Sequence, residues 1–242
     1  MSDHWWVDFF DLKIAGLILA ETRPNEISFL LRHLRLGPGN TVLDQCCGWG
    51  RVSGPLARSG MTVVGIDASA PLVEAARQSW EGLDVEFLEG DAAEHHQEPP
   101  CDAGLNLYSS FGYTQDHTHN QSVLNRLVEG VKKGGRLVLD TINPGRVYAH
   151  FQPVLTQRTP CGTRITRSSV LEKERKSLRQ VWEFRESDGT SFSKQGTTWL
   201  YDRDELADML IEAGCKPKQC FADLHSQPYT PQGERLIWLA ER

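Results

Sequence analysis

The sequence contains no apolar run near the ~20 residues that crossing a bilayer requires, which excludes a conventional membrane-spanning helix. It also lacks a long lysine and arginine run, and its formal net charge is −6. A nucleic-acid partner is therefore disfavoured. The start, Met1-Ser2-Asp3-His4-Trp5-Trp6, has no basic stretch leading into an apolar core, so it does not read as a signal peptide. Cysteines at 46, 47, 101, 161, 215 and 220 include no spaced Cys-x-x-Cys pairs. They read as reduced thiols of a cytoplasmic protein, with no metal site. Internal repeats and low-complexity linkers are absent too. A chain of 242 residues fits one domain carrying an insertion.

What is there alternates between two periods. Residues 5 to 36 read as two amphipathic helices, with Phe9, Phe10, Leu12 and Ile14 to Leu19 on one face and Ile27, Phe29, Leu30, Leu31 and Leu34 on the other. Pro24 suits a helix start and Gly37-Pro38-Gly39 a stop. Strands are expected at 41–44, 62–66, 84–88, 103–108 and 136–142, and helices near 51–58, 70–80 and 118–131. Ser69 is expected to cap the second of these helices, and Lys132-Lys133-Gly134-Gly135 to end the third. From about 150 to 200 the sequence turns rich in Thr, Val, Trp and Phe, with a hairpin turn at Ser187-Asp188-Gly189, predicting an antiparallel insertion. A helix around 205–210 and strands near 219–225 and 235–240 follow.

The chemistry gathers at strand ends. Asp44 follows an apolar strand and precedes Gln45-Cys46-Cys47-Gly48-Trp49-Gly50, a Gly-containing turn into a helix. Asp67 ends the second strand, where a carboxylate can accept both hydroxyls of a ribose. Asp91, in Gly90-Asp91-Ala92, is placed to accept from an adenine amino group. Ligands of open α/β sheets bind at this edge. A nicotinamide dinucleotide fits poorly: the Gly-x-Gly-x-x-Gly fingerprint is missing, and Asp44 would repel a pyrophosphate.

These motifs resemble those of the class I S-adenosylmethionine-dependent methyltransferases. The resemblance covers Asp44 to Gly50, Val64-Gly65-Ile66-Asp67, Leu88-Glu89-Gly90-Asp91-Ala92 and Lys133-Gly134-Gly135-Arg136-Leu137-Val138-Leu139. Ser109-Ser110-Phe111-Gly112-Tyr113 and Leu200-Tyr201-Asp202-Arg203-Asp204-Glu205-Leu206 are similar to a small-molecule subgroup. The resemblance implies an α/β fold: a doubly wound, seven-stranded Rossmann-like methyltransferase sheet with an antiparallel β insertion after strand five. Residues 1–242 would form one domain, with a helical cap over 1–36 and the insertion at about 150–200. S-adenosyl-L-methionine would be held by Asp44, Cys46, Gly48, Gly50, Asp67, Ala68, Asp91, Ala92 and Tyr108. Cys46 departs from the family's first glycine and is tolerable there if its φ is negative.

The expected reaction is methyl transfer to an oxygen or nitrogen of a small molecule of secondary metabolism, with nucleic-acid bases disfavoured as acceptors. The Asn/Asp-Pro-Pro-aromatic tetrapeptide of base-amino enzymes and the Pro-Cys of cytosine C5 enzymes are both missing. His117 and His119 are the candidate bases. Trp5, Trp6, Phe9, Phe111, Tyr113, Arg146 and Tyr148 are candidate acceptor contacts, with His150 beside them. The expectation is a monomer or homodimer with neither nucleic acid nor membrane as partner. A protein or RNA methyltransferase, or a binding protein without turnover, are the alternatives.

Overall fold

The computed structural model describes residues 5–18 and 24–242. Leu19 therefore lies outside the described residues. The N-terminal part holds three short helices, α1 (Trp5–Phe9), α2 (Leu12–Ile18) and α3 (Pro24–Leu34), where the sequence predicts two. The break falls at Asp11, whose carboxylate accepts the N–H of Ile14 and restarts the helix.

The main sheet contains β1 (Thr41–Gln45), β2 (Thr62–Asp67), β3 (Val85–Glu89), β4 (Cys101–Asn106), β5 (Val131–Ile142), β10 (Lys216–Phe221) and β11 (Arg235–Glu241), in the order β10-β11-β5-β4-β1-β2-β3. β1 to β5 are mutually parallel, and β11 runs antiparallel to β5 and β10. The order reverses between β1 and β4, so both lead their following loops to one crevice. Helices α4 (Ser53–Arg58), α5 (Ala70–Ser79), α6 (His117–Glu129) and α8 (Arg203–Glu212) cover the sheet. Leu43, Leu124, Leu127, Leu137 and Leu206 form the core on one side; Leu30, Val42, Leu56, Leu105 and Ile237 form it on the other.

A second sheet follows β5 and the short helix α7 (Pro144–Ala149): β6 (Val154–Arg158), β7 (Arg164–Glu172), β8 (Ser177–Arg185) and β9 (Ser191–Trp199), antiparallel throughout. It packs on the N-terminal helices through Phe9, Ile14, Ile165 and Phe184. The close approach depends on Gly196, where an added Cβ would stand 2.4 Å from the Trp5 ring.

Two local expectations are corrected. Ser69 occupies the cap position of α5 but donates instead to the Phe10 carbonyl at 2.9 Å. The α6 helix ends before Gly130, and Lys132 to Gly135 form an irregular start to β5, with Lys132 paired to Asp102 at 2.6 Å. Asp116 caps α6, accepting the N–H groups of Thr118 and His119. The capping box at α8 is closed by Asp202 and Glu205.

Candidate active site

The turn after β1 is built on backbone that only glycine adopts freely. Gly48 and Gly50 have φ of +57° and +77°. At Gly50 an added Cβ would lie 2.6 Å from Phe87, whereas at Gly48 the nearest atom is 4.0 Å away. Gly48 thus opens onto free space rather than onto packing. Cys46, expected to need negative φ, has φ +60°, a left-handed conformation costing about 1–2 kcal/mol for a residue with a Cβ. The turn is held there by bonds from Cys47 N–H to Ile66 O (3.0 Å) and from Gly48 N–H to the Asp67 carboxylate (2.8 Å).

A cleft open to solvent, with about 900 Å³ of empty space counted out to its mouth, lies at this turn. It is lined by Cys46, Gly48, Asp67, Ala68, Asp91 and Ala92 from the strand ends and their loops, by Trp6 and Phe10 from the N-terminal segment, and by Phe111, Tyr113 and His119. A smaller cavity of about 430 Å³ adjoins it, lined by Asp44, Trp49, Arg51 and Leu107. Cys46, Gly48, Tyr108 and Ser110 line both. Of the expected cofactor residues all but Gly50 reach one or both cavities; Gly50 shapes the turn from behind.

Each Asp67 oxygen accepts one backbone N–H, from Ser69 and from Gly48. Each keeps lone pairs for a further donor. Asp91 accepts from Ala93 N–H at 2.7 Å. Burial raises Asp67 above the ordinary carboxylate range, opposed by its two N–H donors. Asp44 is pushed up to about 6 by complete burial, the Ser53 hydroxyl and Arg51 pulling the other way. Arg51 is itself held by Glu26 in a two-point buried ion pair (2.5 and 3.0 Å), and its guanidinium lies 3.9 Å from the centre of the Tyr108 ring. Open space at Gly48, carboxylates with spare acceptor capacity and an aromatic wall are features that fit S-adenosylmethionine.

The acceptor candidates separate. Trp6, Phe111, Tyr113 and His119 line the larger cavity. Trp5 does not; its indole N–H donates to the Tyr113 carbonyl at 2.8 Å and so supports the wall. Phe9 is buried against the second sheet. His117 is exposed, with Nδ1 2.9 Å from the Tyr201 hydroxyl. Arg146 donates to the Gln232 carbonyl, and Tyr148 and His150 lie on the surface, all three on or beside α7 and outside the cavity lining. The short α7 displaces them from the strand end where the sequence expects them. No group of three or more potential metal ligands occurs among the described residues.

Glu26, Arg51, Asp140 and Arg235 were not singled out by the sequence reading. A signal existed for two of them: Arg51 directly follows the glycine turn, and Asp140 interrupts an apolar strand, where a buried charge requires a partner.

The comparisons agree with this architecture. The model of a methyltransferase domain matches residues 42–135. The cypemycin N-terminal methyltransferase of a Streptomyces species is 23% identical over 100% of both chains. A ubiquinone biosynthesis O-methyltransferase of Aliivibrio fischeri is 27% identical over 59% of this chain and 59% of its own length. Among solved structures, the amino pentose methyltransferase CalS10 of Micromonospora echinaspora superposes with a TM-score of 0.68 at 18% identity, over 89% of this chain and 88% of that one. Residues 42–135 thus carry a methyltransferase domain, and over its length the chain is similar to S-adenosylmethionine-dependent methyltransferases. It is an enzyme of that class, with S-adenosylmethionine as its cofactor. No described helix is long and apolar enough to cross a membrane.

Proposed function

We propose that this enzyme methylates an oxygen or nitrogen of a small molecule of secondary metabolism, with residues 1–242 working as one domain. The observation that carries the reading is the larger cavity, whose lining combines carboxylates, aromatic rings and one imidazole. Its lining holds no lysine or arginine among the described residues, so an acceptor carrying phosphate or carboxylate would find no cation there.

In this reading Asp67 takes the ribose hydroxyls, Asp91 and Ala92 the adenine edge, and the Cys46 to Gly50 turn the methionine portion beside Asp44. The cofactor supplies a methyl group on a sulfonium, already a good leaving group. The protein's part is alignment and exclusion of water. Trp6, Phe10 and Tyr113 provide the cover, and His119 is the group placed to take a proton from the acceptor.

A second reading is favoured by the relative that covers both chains in full, whose name specifies an N-terminal methyltransferase: the acceptor is then the amine of a peptide. Incubating the enzyme with methyl-labelled cofactor and cell extract, then separating small molecules from macromolecules, decides between them. Label confined to macromolecules overturns the small-molecule reading.

A further inference from the structure

Tyr108 and Ser109, directly after β4, both adopt left-handed backbone, with φ of +60° and +63°. Two consecutive residues with side chains in this region are unusual, and such strain persists only where the surroundings impose it. Here the imposing groups are Asp140 of β5 and Arg235 of β11. One Asp140 carboxylate oxygen accepts the Tyr108 N–H at 3.1 Å, and the Asp140 carbonyl accepts the Ser109 N–H at 2.9 Å. Arg235 Nε donates to the other Asp140 oxygen at 2.7 Å, while its NH2 donates to the Ser109 hydroxyl at 2.9 Å. Asp140 has only 4% of its surface exposed, so this is a buried clamp rather than a surface ion pair.

What the clamp holds lies at the junction of the two cavities. Tyr108 lines both, with Cys46, Gly48 and Ser110, and Arg51 covers its ring. Were Tyr108 to relax to negative φ, its side chain would swing away from the Arg51 guanidinium and the junction would change shape. Asp140 and Arg235 themselves line neither cavity.

We infer that Asp140 and Arg235 are positioning residues of the methyl-transfer site, acting through Tyr108. They fix the strained backbone after β4 so that the Tyr108 ring closes the passage where the methionine portion of the cofactor meets the acceptor space. This rests on the proposed seating of the cofactor across the two cavities.

The test is a double-mutant cycle on cofactor binding, read by calorimetry with S-adenosylmethionine and S-adenosylhomocysteine. Asp140→Asn and Tyr108→Leu are each expected to weaken binding about tenfold, and the double variant to bind no more weakly than the weaker single one. Additive losses, about a hundredfold together, overturn the inference, as does unchanged binding by Asp140→Asn. A purely structural ion pair would lower the melting temperature without coupling to Tyr108. Should Asp140→Asn fail to fold, Arg235→Lys takes its place in the cycle, with the same coupling expected. Wild-type protein that bound neither ligand would instead refute the seating of the cofactor, an outcome distinct from additivity.

Discussion

The Ser53 hydroxyl donates to Oδ2 of Asp44 at 2.5 Å, and both side chains are almost wholly buried. The bond reduces, but does not cancel, the cost of holding a carboxylate away from water. Burial still pushes Asp44 up to about 6 in the fold, from an ordinary carboxylate value of 3.8. A raised folded value means that the native state holds the proton more tightly than the unfolded chain does. The contribution to stability is complete below pH 3.8 and is lost as pH rises through about 6. That difference corresponds to roughly 3 kcal/mol. Asp44→Asn is therefore expected to be more stable than wild type at pH 7.5, with the advantage vanishing near pH 4. Urea unfolding at both values checks this, and an equal difference at both would refute it.

The same carboxyl links pH to the cofactor. A cationic ligand beside Asp44 and Asp67 favours their ionised forms, so S-adenosylmethionine should bind more weakly as pH falls through about 6. Calorimetry between pH 5 and 8 is expected to show this dependence in wild type and a flatter one in Asp44→Asn. A wild-type affinity that did not change with pH would count against the placement of Asp44 next to the methionine end.

The strands and the acids at their ends were legible because both signals are local. Apolar runs of fixed period end in Asp44 and Asp67, and the glycine turn announces its own geometry. What was not legible depends on partners distant in sequence. Asp140 and Arg235 are 95 residues apart, and Glu26 meets Arg51 across 25. Sequence spacing gives no measure of such pairings. The placement of Tyr148 and Arg146 failed for a related reason: Asn143 caps a short helix directly after β5, and that turn carries both side chains away from the crevice.

Cys46 offers a test of stored strain. A Cys→Gly change at a half-buried position ordinarily destabilises, through lost packing and a more flexible unfolded chain. At φ +60° the glycine also removes a left-handed penalty of about 1–2 kcal/mol. Cys46→Gly is expected to leave the unfolding free energy measured in urea within about 0.5 kcal/mol of wild type. A loss of about 2 kcal/mol or more would mean that packing of the thiol outweighs the strain.

The cysteines should also differ sharply in reactivity. Burial, with Asp67, Asp44 and Asp91 near it, holds the Cys46 thiol well above its ordinary range, and burial and the same acids Asp44 and Asp67 do so for Cys47. Cys161 is exposed, and hydrogen bonds from Thr159 and Thr163 bring it down to about 7. Because the thiolate is the reactive form, iodoacetamide at pH 7.5 is expected to label Cys161 first. Peptide mapping after brief treatment reads the order, and early labelling of Cys46 would contradict the closed turn.

The two histidines in the first turn of α6 are separated by geometry although they stand two positions apart. His119 lines the larger cavity, while His117 bonds to the Tyr201 hydroxyl and packs edge-on against Trp199 at 4.3 Å. If His119 takes the acceptor's proton, His119→Ala should lower kcat by about 10²–10⁴ with the affinity for S-adenosylmethionine little changed. His117→Ala should instead cost about 1 kcal/mol of stability through the lost hydrogen bond, with kcat nearly intact. Both are measured on the acceptor that the extract assay identifies, alongside thermal unfolding. Full activity in His119→Ala would remove the imidazole from the chemistry and leave alignment and cover as the protein's whole contribution.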